Sequence, residues 1–143
     1  MTRPSWILPD GMEECLPDEA WAIEDGRRQC LDLFRSSHFG LIMPPMVEYL
    51  DALTSGVGQD LADQIMVITD RVSGRLMGIR PDMTPQAARI DAHALNESAT
   101  TRLCYCGSVL RAVASGGDSS RSPVQLGAEI FGNPDLSADI EVV

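Results

Sequence analysis

The sequence predicts an α+β domain, an antiparallel sheet backed by helices, and three patterns carry that expectation. Residues 18–37 and 81–96 have helical spacing, 65–69 and 75–79 flank a turn-rich gap, and 103–110 and Val124–Phe131 are long strand-like runs joined by a Gly/Ser loop. Runs of strands joined by hairpins, without strict alternation of strand and helix, exclude a doubly wound parallel sheet. The 143 residues suit one folded unit.

The elements follow in order. Between Trp6 and Pro17 the chain reads as irregular, with Pro9 and Gly11 leaving room only for turns. In the first helix Trp21, Cys30, Leu31, Leu33 and Phe34 stand among charged residues, and Asp18 and Glu19 suit the positive end of its dipole. Gly26 costs that helix about 1 kcal/mol relative to alanine, and Gly40 is its expected stop. Residues 41–43 form a short strand closed by Pro44 and Pro45. Residues 47–53 have a mixed pattern, and 55–60 make a polar connection. The hairpin over 65–79 has a five-residue loop at 70–74. In the second helix Thr84 caps, Pro85 takes the first position, Ala87, Ala88, Ile90, Ala94 and Leu95 form the apolar stripe, and Arg89 faces solvent. The tail at 140–143 carries no terminating signal.

Composition removes several chemistries. Acidic residues number 21 against 11 basic ones, a net charge of −10, and every basic residue is arginine. Without lysine there is no Walker-type phosphate loop, Schiff base or acylated lysine nucleophile. The acidic balance disfavours non-specific binding to nucleic acid. No apolar run approaches the ~20 residues of a membrane span, and the N-terminus lacks a leader pattern, so a soluble, cytoplasmic protein is expected. Cys15, Cys30, Cys104 and Cys106 make no C-x-x-C and read as reduced thiols. His38 and His93 stand far apart without partner ligands, and no metal or cofactor is expected.

Five polar residues sit where a sheet would present them. Asp82 and Thr84 follow the step Arg80-Pro81, Arg111 ends one long strand, and Gln125 and Glu129 share one face of the other. Carboxylates, a guanidinium and an amide on one surface suit a zwitterion: acids for an ammonium, Arg111 for a carboxylate or phosphate. Spacing alone favours the plainer alternative, a cross-strand Arg111–Glu129 ion pair on a solvated face, worth at most about 1 kcal/mol. The Asp82-x-Thr84 step is likewise explained by a helix N-terminus alone. His93 reads as structural, and Met43, Met46, Met66, Met77 and Met83 as core.

Longer stretches resemble a known family. Met43-Pro44-Pro45-Met46-Val47-Glu48-Tyr49-Leu50 is similar to the dimer-forming first motif of class II aminoacyl-tRNA synthetases of the histidyl branch, which implies Pro45 and Glu48 at a dimer interface. Arg80-Pro81-Asp82-Met83-Thr84 resembles that branch's R-P-E-G-T, Val109-Leu110-Arg111 its second-motif arginine, and the segment from Gln125 to Gly132 its Q-x-G-x-E-x-F-G strand. The resemblance implies the N-terminal portion of a class II synthetase-like catalytic-core fold, and histidine-pocket residues at Asp82, Thr84, Arg111, Gln125 and Glu129.

Departures favour one branch. Where the synthetases' second motif has the glutamate that holds adenine, this chain has Val113, and Leu110 replaces the phenylalanine. The following loop is poor in cations and aromatics, so no tRNA grip is expected. The stretches 6–14, 73–93 and 102–110 resemble the synthetase paralogue that serves as regulatory subunit of ATP phosphoribosyltransferase. That resemblance implies a non-catalytic, allosteric subunit that binds histidine, forms a homodimer within a hetero-oligomer, and assembles with a short-form catalytic subunit. A histidyl-tRNA synthetase fragment and a bare dimerisation scaffold are the alternatives. Family members also continue into a third motif whose arginine clamps ATP, so the chain is expected to be a truncated or incomplete core.

Overall fold

A computed structural model describes residues 6–95, 99–114 and 120–142. Helix α1 spans Pro17–Ser36 with Pro17 in its first turn, where a missing N–H costs nothing. It ends before Gly40, because His38 takes the left-handed turn at φ 64°. The amides of His38 and Phe39 bond back to the carbonyls of Arg35 and Phe34 at 3.1 and 2.9 Å, closing a Schellman turn. Strand β1 is therefore Gly40–Leu41, earlier and shorter than expected. Beyond the two prolines come β2, Val47–Tyr49, and two short helices that the mixed pattern did not announce, α2, Leu50–Thr54, and α3, Gln59–Ala62.

The hairpin forms as expected, β3 (Met66–Thr69) against β4 (Leu76–Ile79). Its connection is one residue longer than anticipated, since Thr69 pairs with Leu76, and Gly74 supplies a left-handed turn at φ 73°. Asp70 closes the loop by accepting from the amides of Val72 and Ser73 at 3.0 and 3.1 Å and from the Ser73 hydroxyl at 2.6 Å. Helix α4, Thr84–Ile90, runs into a π-helical turn at Asp91–Leu95, and residues 96–98, where its end was expected, lie outside the described residues. Strands β5 (Thr101–Ser108) and β6 (Val124–Phe131) pair antiparallel along their full length. Much of the Gly/Ser loop between them, residues 115–119, also lies outside the described residues. The unexpected α5, Leu136–Val142, covers the tail.

Among the described residues the expected antiparallel sheet is two three-stranded sheets, ordered β1-β5-β6 and β2-β4-β3, and β1 runs parallel to β5. One isolated bridge outside the strands joins Ile65, just before β3, to Arg111, beyond the end of β5. Between α4 and the first sheet sits a small core of Met83, Ala87, Tyr105 and Val109, each at most 2% exposed. Alternation along β5 sends Tyr105 and Gly107 toward α4 and Cys104 and Cys106 toward α1. All four cysteines are free thiols. No helix of the described residues is long and apolar enough to cross a membrane.

Candidate functional site

Four of the five predicted site residues meet above the α4 side of the first sheet. Gln125 and Glu129 lie on one face of β6, opposite Gly107 and Leu103 of β5, and the N-terminus of α4 brings Asp82 and Thr84 over them. Thr84 is the first residue of the helix and not its cap; the Asp82 carboxylate takes the capping part, its Oδ1 accepting from the Thr84 amide at 2.8 Å. The same oxygen accepts from Gln125 Nε2 at 2.9 Å, while Gln125 Oε1 accepts from the Met83 amide at 2.8 Å. Asp82, Gln125 and the helix entry are thereby fixed as one unit.

Beside them Glu129 Oε1 accepts from the Tyr105 hydroxyl at 3.0 Å and from the Thr84 hydroxyl at 3.1 Å, and the two hydroxyls lie 2.8 Å apart. Two hydroxyl protons thus serve three contacts. Burial and the neighbouring Glu129 and Asp82 carboxylates outweigh the Thr84 hydrogen bond and push the Tyr105 pKa up to about 12, so its phenol stays protonated and donates. Asp82 Oδ2 and Glu129 Oε2 take no hydrogen bond from the described residues, which leaves each carboxylate one oxygen for an incoming N–H. Gly127 makes this packing possible: a Cβ there would stand 2.4 Å from the Tyr105 hydroxyl oxygen. Tyr105 was legible only as one more apolar residue of a strand; its place between Gln125 and Glu129, opposite a glycine, was the available signal.

Arg111 is not joined to this network. Its amide bonds to the Arg121 carbonyl at 2.8 Å and its carbonyl accepts from Arg121 Nε at 3.0 Å, so Arg121 stands opposite it. Among the described residues no ion pair links Arg111 to Glu129, and the cross-strand pair that spacing favoured is not formed. Val113, at the position where the adenine-holding glutamate was expected, is 60% exposed.

Behind α4 a second cluster holds the prolines of the first motif. The Glu48 carboxylate accepts from both terminal nitrogens of Arg89 at 2.5 Å and from Gln86 Nε2 at 2.8 Å, and Gln86 Nε2 also donates to the Pro45 carbonyl at 2.8 Å. Arg89, expected to face solvent, is turned onto Glu48, whose hydrogen bond holds the guanidinium pKa above its ordinary value. Glu48 is an internal partner, its side chain 8% exposed, while the Pro45 ring is exposed. A cavity of about 610 Å3 opens beside Glu48, Gln86, Arg89 and His93, and the five predicted site residues are not part of its lining.

The chain is 53% identical over 138 residues to a protein of Azoarcus sp. (strain BH72) named ATP phosphoribosyltransferase regulatory subunit, and 52% identical to its namesake in Thioalkalivibrio sulfidiphilus, covering 96% of this chain in each case. It spans only 36% and 35% of those relatives. A solved structure from Bacillus halodurans, described as an ATP phosphoribosyltransferase regulatory subunit/histidyl-tRNA synthetase, superposes with a TM-score of 0.78 at 26% identity over 99% of this chain and 37% of that one. That likeness gives the fold as the N-terminal part of a class II synthetase-like core. The model of the histidyl-tRNA synthetase family matches residues 11–143, and the chain belongs to that family.

Proposed function

We propose that the chain forms the N-terminal part of a regulatory subunit of ATP phosphoribosyltransferase, which acts in the cytoplasm in histidine biosynthesis and catalyses no reaction itself. The relatives' shared name supports the assignment, and the observation that carries the ligand is the pair of carboxylates with one oxygen each left open, Asp82 and Glu129. Histidine is a zwitterion with a further ring N–H. Its ammonium and ring donors meet the two open oxygens as charge-assisted hydrogen bonds, and its carboxylate meets Arg111 from the neighbouring strand end. Thr84, Gln125 and Tyr105 spend their own hydrogen bonds on holding the acids in place, which lowers the ordering cost of binding. With Val113 at the adenine position the purine contact is missing, and neither ATP activation nor tRNA charging follows.

The whole subunit pairs as a homodimer through the segment around Pro45, with Glu48 bracing that segment from within, and assembles with a short-form catalytic subunit. Histidine binding then couples to phosphoribosyl transfer with a coupling free energy of about 1–3 kcal/mol. Mixed with the catalytic subunit, the native protein is expected to raise phosphoribosyl transfer and make it histidine-sensitive. Glu129→Ala is expected to cost about 2 kcal/mol or more of histidine affinity by calorimetry, because the ligand's cation loses a charged acceptor. Histidine-dependent exchange of pyrophosphate into ATP would instead establish a synthetase.

A further inference from the structure

On the opposite side of the first sheet from the constellation, α1 and β6 enclose a groove of about 500 Å3. Its floor is apolar, with Ile23, Val124 and Leu126, and Ile23 and Val124 stay 42% and 47% exposed. Gly26 deepens it: nothing stands within 4 Å of where a Cβ would be. Although α1 has 20 residues, none of them is buried, so the described residues leave this flank of the helix without cover. The rim is acidic. Glu13, Glu14 and Glu19 line it, and none of them belongs to an ion pair among the described residues. Arg27, the one cation of the lining among the described residues, is already neutralised by Glu24, with hydrogen bonds of 2.6 and 2.8 Å.

An apolar floor inside an uncompensated acidic rim selects its occupant by charge. A second copy of this chain, at net charge −10, is repelled there. We propose that the groove docks a basic segment of the phosphoribosyltransferase catalytic subunit, which seats an apolar side chain over Gly26 and sets Lys or Arg against Glu13, Glu14 and Glu19. The partner's identity rests on the function proposed above; the groove's preference for an apolar, cationic segment rests on its own lining.

The test uses the native protein and the purified catalytic subunit. The triple variant Glu13→Gln, Glu14→Gln, Glu19→Gln keeps side-chain shape, and is expected to weaken association about tenfold or more and to flatten its salt dependence. Gly26→Leu fills the groove while improving helix propensity, so weaker association in that variant cannot come from a weaker helix. Cys15, exposed on the groove wall, supplies a footprint: the catalytic subunit should slow its alkylation by N-ethylmaleimide. If the wild-type protein neither binds nor activates the subunit, the function proposed above fails. If it activates while both variants bind as tightly as wild type with the same salt dependence, the groove is not the docking surface. A Cys15 that is unreactive in the free native protein would show the groove covered by the protein itself and overturn the proposal in the same way.

Discussion

Gly127 and Tyr105 illustrate how single side chains set this site. A methyl group on residue 127 would meet the Tyr105 ring at 2.4–2.7 Å, and the ring has no free direction because its residue is 2% exposed. Gly127→Ala is therefore expected to destabilise by about 1–3 kcal/mol in urea unfolding, with most of that cost removed when Tyr105 is first changed to Leu. Tyr105 also gives a pH signature. Its phenol titrates near 12 in the folded chain against 10 for an ordinary tyrosine, so the folded state favours the proton. That stabilisation is complete below pH 10 and is lost as the pH rises from 10 toward 12. Unfolding midpoints across that range should fall more steeply for the wild type than for Tyr105→Phe, and absorbance at 295 nm should lose its late phase in the variant. The acids were legible through the motifs that hold them, since spacing alone explained Glu129 by a solvated ion pair and Asp82 by a helix N-terminus; the tyrosine was not, because an aromatic residue in a strand is explained by packing alone.

At the scale of elements, the end of α1 shows the same division. A glycine after a helix is the usual stop, and Gly40 was the natural choice, yet the left-handed residue is His38, two positions earlier. What holds it there is packing: the Phe34 and Phe39 rings, which the Schellman turn brings together, lie 5.8 Å apart between centroids. A β-carbon in this conformation is strained, so His38→Gly should stabilise the protein by about 1 kcal/mol, whereas His38→Ala should not, in paired thermal or urea unfolding. Elements built on local signals, the β3–β4 hairpin with its Gly74 turn and the long β6, were legible for that reason. The parallel pairing of β1 with β5 was not, since Gly40 finds Leu103 across more than half the element order and nothing near residue 40 encodes its partner. The short α5 escaped for a related cause: seven residues cannot display a helical period clearly.

Across the whole molecule, one arginine joins what the topology separates. Arg80 follows β4 of the second sheet, and its guanidinium donates through Nε and Nη2 to the Ser108 carbonyl at the end of β5, at 3.1 and 3.0 Å, and through Nη1 to the Pro44 carbonyl at 2.7 Å. Its own carbonyl accepts from the Leu110 amide at 3.0 Å, and its amide bonds to Met46 at 3.0 Å. The residue is 5% exposed and has no carboxylate bonded to it among the described residues; burial pulls its pKa below the ordinary arginine value, offset in part by Glu48. Such a charge is stable only while its carbonyl acceptors stay in place, which makes Arg80 a sensor of whether the two sheets are docked. Gly107 is required alongside it, since a Cβ there would lie 2.7 Å from Nη2. Arg80→Met keeps length and removes the donors, leaving the Pro44 and Ser108 carbonyls unpaired, and is expected to cost about 3 kcal/mol or more. Amide exchange at Leu110 should accelerate in the same variant, because the register between β4 and the strand end loosens with the side chain. Arg80→Lys, able to reach one carbonyl but not both, should recover only part of the loss. A cost below about 1 kcal/mol for Arg80→Met would mean that water replaces the guanidinium and that the sheets are held by the Ile65–Arg111 bridge and apolar contacts instead.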